Sequence, residues 1–208
     1  MQYRNLGATG LQLSAIGYGA GDNAGLMVEA PFEEQCRVLG RALELGVTYI
    51  DTAAGYGDNK SETNLGKALK ALGVRPLINS KVEIVLSQVD DIAGAIERSV
   101  EASLGRLGID ALDIVQIHNP VVHRRPENAR TGPTGPWLPL EVHEYLGPGG
   151  VMEGLRRLRQ AGKARFTGFA GAGSDPLLAK AIFATGEISL LNTGYNLLNP
   201  TAGMPKPA

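Results

Sequence analysis

The chain is 208 residues long, enough for one large domain or two small ones with a sizeable core. Its formal net charge of -1 gives no electrostatic case for nucleic acid or an anionic membrane as partner. The single cysteine, Cys36, precludes an intrachain disulfide, and no run approaches the roughly 18 consecutive apolar residues of a membrane helix.

Met1-Gln2-Tyr3-Arg4 opens without the apolar core of a signal peptide, so the expectation is a cytoplasmic protein. Residues 2–14 read as a hairpin about the glycine-bounded turn Gly7-Ala8-Thr9-Gly10, and Ala15 to Ala20 as a short strand running into glycine. Apolar residues at helical spacing from Phe32 to Leu45 predict a helix stopped by Gly46. Cys36 lies within it as a packed small residue rather than a nucleophile. The β-branched run 47–51 is a buried strand ending on Asp51, and Tyr56 follows past a loop of small residues. A helix from Ser61 to Lys70, a strand from Pro76 to Val82 carrying Lys81, and a long helix from Asp90 to Leu107 come next. In that long helix Ile92, Ile96, Val100 and Leu104 repeat at four-residue spacing. Leu112 to His118 is a strand ending on histidine.

Residues 119–150 change character, with dense proline and glycine, and read as one long loop over the active-site face. Within it Arg124-Arg125 reads as solvent-exposed, while His123 and His143 receive no role. Trp137 either walls a pocket or packs the loop onto the rim. A helix from Val151 to Gln160, a strand from Ala164 to Gly171, a helix from Pro176 to Thr185 and a strand from Ile188 to Thr193 complete the pattern. The tail from Asn199 to Ala208 shows no periodicity.

Strands and helices thus alternate at about one βα unit per 30 residues, the rhythm of parallel construction. Gly17-Tyr18-Gly19-Ala20-Gly21-Asp22 is only a loose match to a dinucleotide-binding turn, and residues 22–30 separate it from the first helix. A (β/α)8-type barrel with an N-terminal hairpin, represented by about six βα units in one domain, is therefore preferred to a doubly wound open sheet.

In such a barrel the C-terminal strand ends carry the chemistry. Asp51, Tyr56, Lys81 and His118 then converge on one rim. Taken alone, Asp51 could cap a helix and Tyr56 mark a turn, and a rim ion pair Asp51–Lys81 with two bystanders is the bland reading of all four. The set suits proton transfer to oxygen: a neighbouring ammonium stabilises a phenolate, a carboxylate holds that ammonium, and an imidazole hydrogen-bonds a carbonyl. One cysteine and three scattered histidines make no metal set. Protonating a carbonyl oxygen leaves a carbon that needs hydride, which implies a nicotinamide cofactor.

The residues that carry these features resemble the aldo-keto reductase family. The matching pieces are Tyr3 to Leu11, Ile50-Asp51-Thr52-Ala53 with Tyr56-Gly57, Ser61-Glu62, Ser80-Lys81-Val82, Ser99 to Leu107, Leu112 to His118, Gly168-Phe169, and Tyr195 to Pro200. The resemblance implies a barrel closed below by the hairpin and reversible NADP(H)-linked carbonyl reduction, NAD(H) being the other nicotinamide to consider. It implies a tetrad of Asp51, Tyr56, Lys81 and His118 with Tyr56 as general acid, and a small carbonyl or alcohol substrate. Asn119 is similar to a polar residue near the nicotinamide amide. Gly19 and Ala20 are small where the cofactor would approach. Ala170-Gly171 stands where the family has a hydroxyl residue followed by asparagine or glycine, and Asn192 where it has glutamine. Tyr18 lines the pocket or sits in the core. The family barrel is longer, typically about 250 residues, so the expectation is a C-terminally incomplete barrel that binds the cofactor poorly by itself and self-associates. Two rival readings stand beside the enzyme: a nicotinamide-binding accessory subunit, and an inactive truncated product.

Overall fold

A computed structural model describes residues 1–22, 25–129 and 137–194. The hairpin pairs β1 (Tyr3–Asn5) with β2 (Gln12–Ser14), Tyr3 opposite Ser14. Reciprocal bonds tie it to the next strand's approach: Ser14 N donates to Thr48 Oγ1 at 2.9 Å and Thr48 N donates to Ser14 Oγ at 3.0 Å. The hairpin therefore lies at the N-terminal ends of the strands.

The remaining strands are β3 (Tyr18–Gly19), β4 (Tyr49–Asp51), β5 (Leu77–Val82), β6 (Leu112–Ile117), β9 (Ala164–Ala170) and β10 (Leu190–Asn192). They form one parallel sheet in the order β10-β9-β6-β5-β4-β3. The helices α2 (Phe32–Glu44), α3 (Lys60–Leu72), α4 (Ile92–Leu107), α6 (Val151–Gln160) and α7 (Pro176–Ala184) follow successive strands. α2 packs on α3, α3 on α4, and α4 on α6. Ile92, Ile96, Val100 and Leu104 are all buried, so the four-residue spacing in the sequence marks the face that α4 turns to the sheet. Gly108 ends α4 at φ 68°, the left-handed conformation that a side chain would oppose.

The sheet is curled, and one bond demonstrates it. Asn192 Nδ2 reaches Asp51 Oδ2 at 2.9 Å, although β10 and β4 stand four strand spacings apart. In a flat sheet that separation would be about 19 Å. Apolar side chains from strands and helices fill the shell between them, with Ile50, Ile78, Val115, Ile117 and Phe169 fully buried. No described helix is long and apolar enough to cross a membrane.

Three features depart from the sequence expectation. The stretch before α2 holds a short helix, α1 (Leu26–Glu29). A 3-10 helix at Leu86–Asp91 precedes α4, which starts at Ile92 because the Asp91 side chain caps it by accepting from Gly94 N. The predicted loop 119–150 contains a parallel pair, β7 (Val121–Val122) with β8 (Leu140–Glu141), and helix α5 (Val142–Leu146). Arg125 organises this segment instead of facing solvent: it pairs with Glu144, its Nε donates to Pro139 O at 2.8 Å, and its N donates to Glu141 Oε1 at 2.9 Å. Arg124 is exposed, as are His123 and His143. Residues 195–208, including the Tyr195-to-Pro200 motif, lie outside the described part.

Candidate active site

β5 alternates. Ser80 turns outward and donates to the buried Glu62 of α3, which also receives Arg106 Nε at 2.7 Å. Asn79 and Lys81 therefore turn inward. Lys81 stands at the last turn of the strand, beside Asp51 at the end of β4, and Tyr56 descends from the loop that follows β4.

Lys81 is almost fully buried, at 4% exposure, and each of its three N–H donors has a partner. One goes to Asp51 Oδ1, one to Thr52 O at 2.9 Å, and one to Tyr56 Oη at 3.0 Å. The ammonium also lies 4.7 Å from the Tyr56 ring centroid. Tyr56 Oη thus accepts from a cation, and its own proton meets no acceptor among the described residues.

The other oxygen of Asp51 is held from below. Oδ2 accepts from Asn79 Nδ2 at 2.8 Å, Asn192 Nδ2 at 2.9 Å and Tyr49 Oη at 3.4 Å. Both amides also reach Gln116 Oε1, at 2.9 and 3.1 Å. The carboxylate is fixed by donors from three strands, while Asn79 Oδ1 stays buried with no hydrogen-bond partner among the described residues. Gln116 needs space to lie inward, and Gly168 on β9 provides it: a Cβ there would meet Gln116 Cγ at 2.7 Å.

His118 follows β6 directly, with its N donating to Val82 O at 2.8 Å. Its ring meets the Tyr56 ring edge-on, centroids 6.1 Å apart at 81°, and Trp137 covers it at 4.0 Å and 33°. Burial and then the Lys81 ammonium lower the His118 pKa to about 4, with Asp51 opposing them. At neutral pH the imidazole is uncharged and carries one N–H.

These groups line a pocket of about 240 Å³ with Ala170, Ala172, Asn192, Thr193 and Gly194. Small side chains leave one wall open to a flat ring. Asn192 Oδ1 accepts no bond among the described residues, so a carboxamide N–H has an acceptor there. The donor set and this wall fit a nicotinamide. A buried ammonium bonded to a phenol, with a neutral imidazole beside it, can protonate and polarise an oxygen above the pocket floor.

Asp51, Tyr56, Lys81, His118, Trp137 and Asn192 are thus brought together, and Gly171 backs the same wall through its N–H to Asn192 O at 2.8 Å. Four expected residues are not at the pocket. Ala20 is buried in the core, and its carbonyl accepts from Ser61 Oγ at 2.7 Å. Gly19, on the sheet's outer strand, has nothing within 4 Å of a would-be Cβ. Tyr18 packs against the core, with its hydroxyl buried without a partner among the described residues and its pKa pushed up to about 12 by burial. Asn119 is fully buried and spends its side-chain amide on backbone, donating at 2.8 Å to Ile84 O and 3.0 Å to Leu138 O and accepting from Ile84 N at 2.8 Å. The sequence reading did not single out Asn79 or Gln116. Strand parity with Lys81 and His118 was the signal for both.

The sequence profile described as "Aldo/keto reductase family" matches residues 15–202. An L-galactose dehydrogenase of Arabidopsis thaliana is 30% identical over 178 residues, 84% of this chain and 50% of that protein. A Schizosaccharomyces pombe protein provisionally named as a voltage-gated potassium channel subunit beta is 28% identical over 215 residues, 98% of this chain and 53% of its own length. A thermostable aldo-keto reductase solved with the inhibitor epalrestat superposes with a TM-score of 0.71 at 27% identity, over 96% of this chain and 64% of that one. The chain spans about half the length of these curated relatives.

Proposed function

The chain belongs to the aldo/keto reductase family, and from that premise we propose that it carries out NADP(H)-linked interconversion of a small carbonyl compound and its alcohol, with NAD(H) as the other nicotinamide to test. When bound, the nicotinamide supplies or accepts hydride at the carbonyl carbon. The chain's own residues handle the oxygen. Tyr56 gives its proton to the carbonyl oxygen in reduction and takes it back in oxidation. Lys81, 3.0 Å from Tyr56 Oη, stabilises the negative charge that develops there, and Asp51 keeps Lys81 oriented. Neutral His118 donates its N–H to the same oxygen. Trp137 walls the substrate side, while Asn192 and the small wall beside it receive the ring. A single barrel-type domain in the cytoplasm completes the reading.

The observation that carries it is the Tyr56 hydroxyl, which accepts from a buried cation and keeps its own proton uncommitted. Tyr56→Phe removes the hydroxyl, and with it both that proton and the acceptor of one Lys81 N–H. Carbonyl reduction, followed by nicotinamide absorbance, falls by about 10²–10⁴-fold while nicotinamide affinity holds. Equal rates in the two proteins refute the reading. The relative named as a channel subunit favours a second reading, a nicotinamide-binding accessory subunit. In that case nicotinamide binds and Tyr56→Phe changes no turnover.

A further inference from the structure

Trp137 is the chain's only tryptophan, and it is only partly buried, yet it lies flat enough on His118 to form the pocket's aromatic wall. Its ring has no hydrogen bond among the described residues to hold it there. The residue behind it does: Leu138 is fully buried, and its carbonyl accepts from Asn119 Nδ2 at 3.0 Å. The same amide grips both backbone groups of Ile84, just past the end of β5. Asn119 is in turn held through its own carbonyl, which accepts from the buried Tyr145 hydroxyl of α5. One side chain next to His118 in sequence therefore joins three segments: the exit of β5, the exit of β6, and the strap that presents Trp137.

We infer that Asn119 is a positioning residue, a latch that seats Trp137 on His118 and so sets the shape of the substrate side of the pocket rather than touching the cofactor. Both of its N–H donors and one lone pair of its oxygen go to these three backbone partners. The side chain is fully buried and lies outside the pocket lining, so it offers a carboxamide there nothing. Asn119→Asp keeps size and shape but replaces both donors with a carboxylate oxygen facing two carbonyls, which turns attraction into repulsion. Tyr145→Phe loosens the same latch from the other side by removing one hydroxyl.

Trp137 fluorescence reads the seat directly and needs no turnover. In the purified full chain, Asn119→Asp shifts the emission to the red and raises acrylamide quenching about twofold or more, because a stacked face becomes wet. Tyr145→Phe moves both in the same direction by less, and it decides the matter if Asn119→Asp does not fold. In the assay of the proposed reduction, on which this part rests, the loss appears in KM for an aromatic aldehyde. That KM rises roughly three- to tenfold, the worth of one aromatic contact, while nicotinamide affinity stays put. Unchanged emission and quenching in both variants overturn the latch. So does weaker nicotinamide binding with an unmoved Trp137 signal. If the parent reduces no carbonyl, the functional reading fails, and the fluorescence comparison still decides the latch by itself.

Discussion

Lys81 donates to Tyr56 at 3.0 Å with the same ammonium that pairs with Asp51, so one buried cation serves a carboxylate and a phenol together. The pair cannot be dismantled from one side without consequence. Its desolvation is offset because all three Lys81 N–H donors and both Asp51 oxygens are met.

Lys81→Met tests that coupling. The substitution leaves the Asp51 side chain without its cation beneath the pocket, so stability falls by about 3–5 kcal/mol, measured by urea unfolding. Adding Asp51→Asn to the same chain removes the stranded charge and recovers most of the loss. A double variant no more stable than Lys81→Met alone would contradict the account.

Asn79→Leu withdraws one donor from Asp51 Oδ2 and one from Gln116 Oε1. Leaving two buried acceptors short costs about 1–3 kcal/mol, and the observed value falls toward the lower end because Asn79 Oδ1, already without a partner, disappears as well. Turnover drops more than stability does, since Asp51 is then held by fewer strands. Equilibrium unfolding and steady-state rates on the same samples separate the two effects.

His118 predicts a pH dependence. Its pKa in the folded chain is about 4, against about 6.5 in an unfolded chain. Between those values the unfolded state binds more protons, so stability rises with pH across the window and is lost as pH falls through it. For this 7%-exposed side chain the swing is about 3 kcal/mol at most. It is read as the difference between the parent and His118→Gln in urea unfolding at about pH 7 and about pH 4, which cancels the carboxylates common to both. Parallel curves would show that the imidazole is not held neutral by burial.

Gly168→Ala places a methyl group 2.7 Å from Gln116 Cγ and 2.9 Å from Leu190 O. The second neighbour is backbone and cannot swing aside. Overpacking of this kind costs about 1–3 kcal/mol, seen in thermal or urea unfolding. Combining it with Gln116→Ala relieves only part of the loss, because the carbonyl remains.

Much of this was legible before the fold was known. Alternation in β5, the four-residue spacing in α4 and the glycine after each of several helices are local patterns with local causes, and they located the strand ends. The order Asp51, Tyr56, Lys81, His118 along consecutive strands then implied a shared rim, because parallel neighbours present their ends to one face. Tyr18, Ala20 and Asn119 lie outside the pocket lining, which no local pattern in the sequence indicated. A residue next to a pocket residue in sequence, as Asn119 is to His118, can point away from it, and only the packed neighbours decide. Arg125 became a partly buried ion-pair partner through Glu144, which lies in a helix the proline-rich composition concealed.

The sequence by itself determined the main strands and helices, the parallel sense of the sheet and the ionisable residues at the strand ends, since each follows from side-chain period and backbone preference within a few residues. The tertiary structure alone decided that Asn192 would reach Asp51 across 141 residues, and that Asn119 would hold the segment carrying Trp137. Both depend on how far the sheet curls and which loop lies over it. That curvature sums small twists over many strands and is set by packing between distant segments, so no local pattern encodes it.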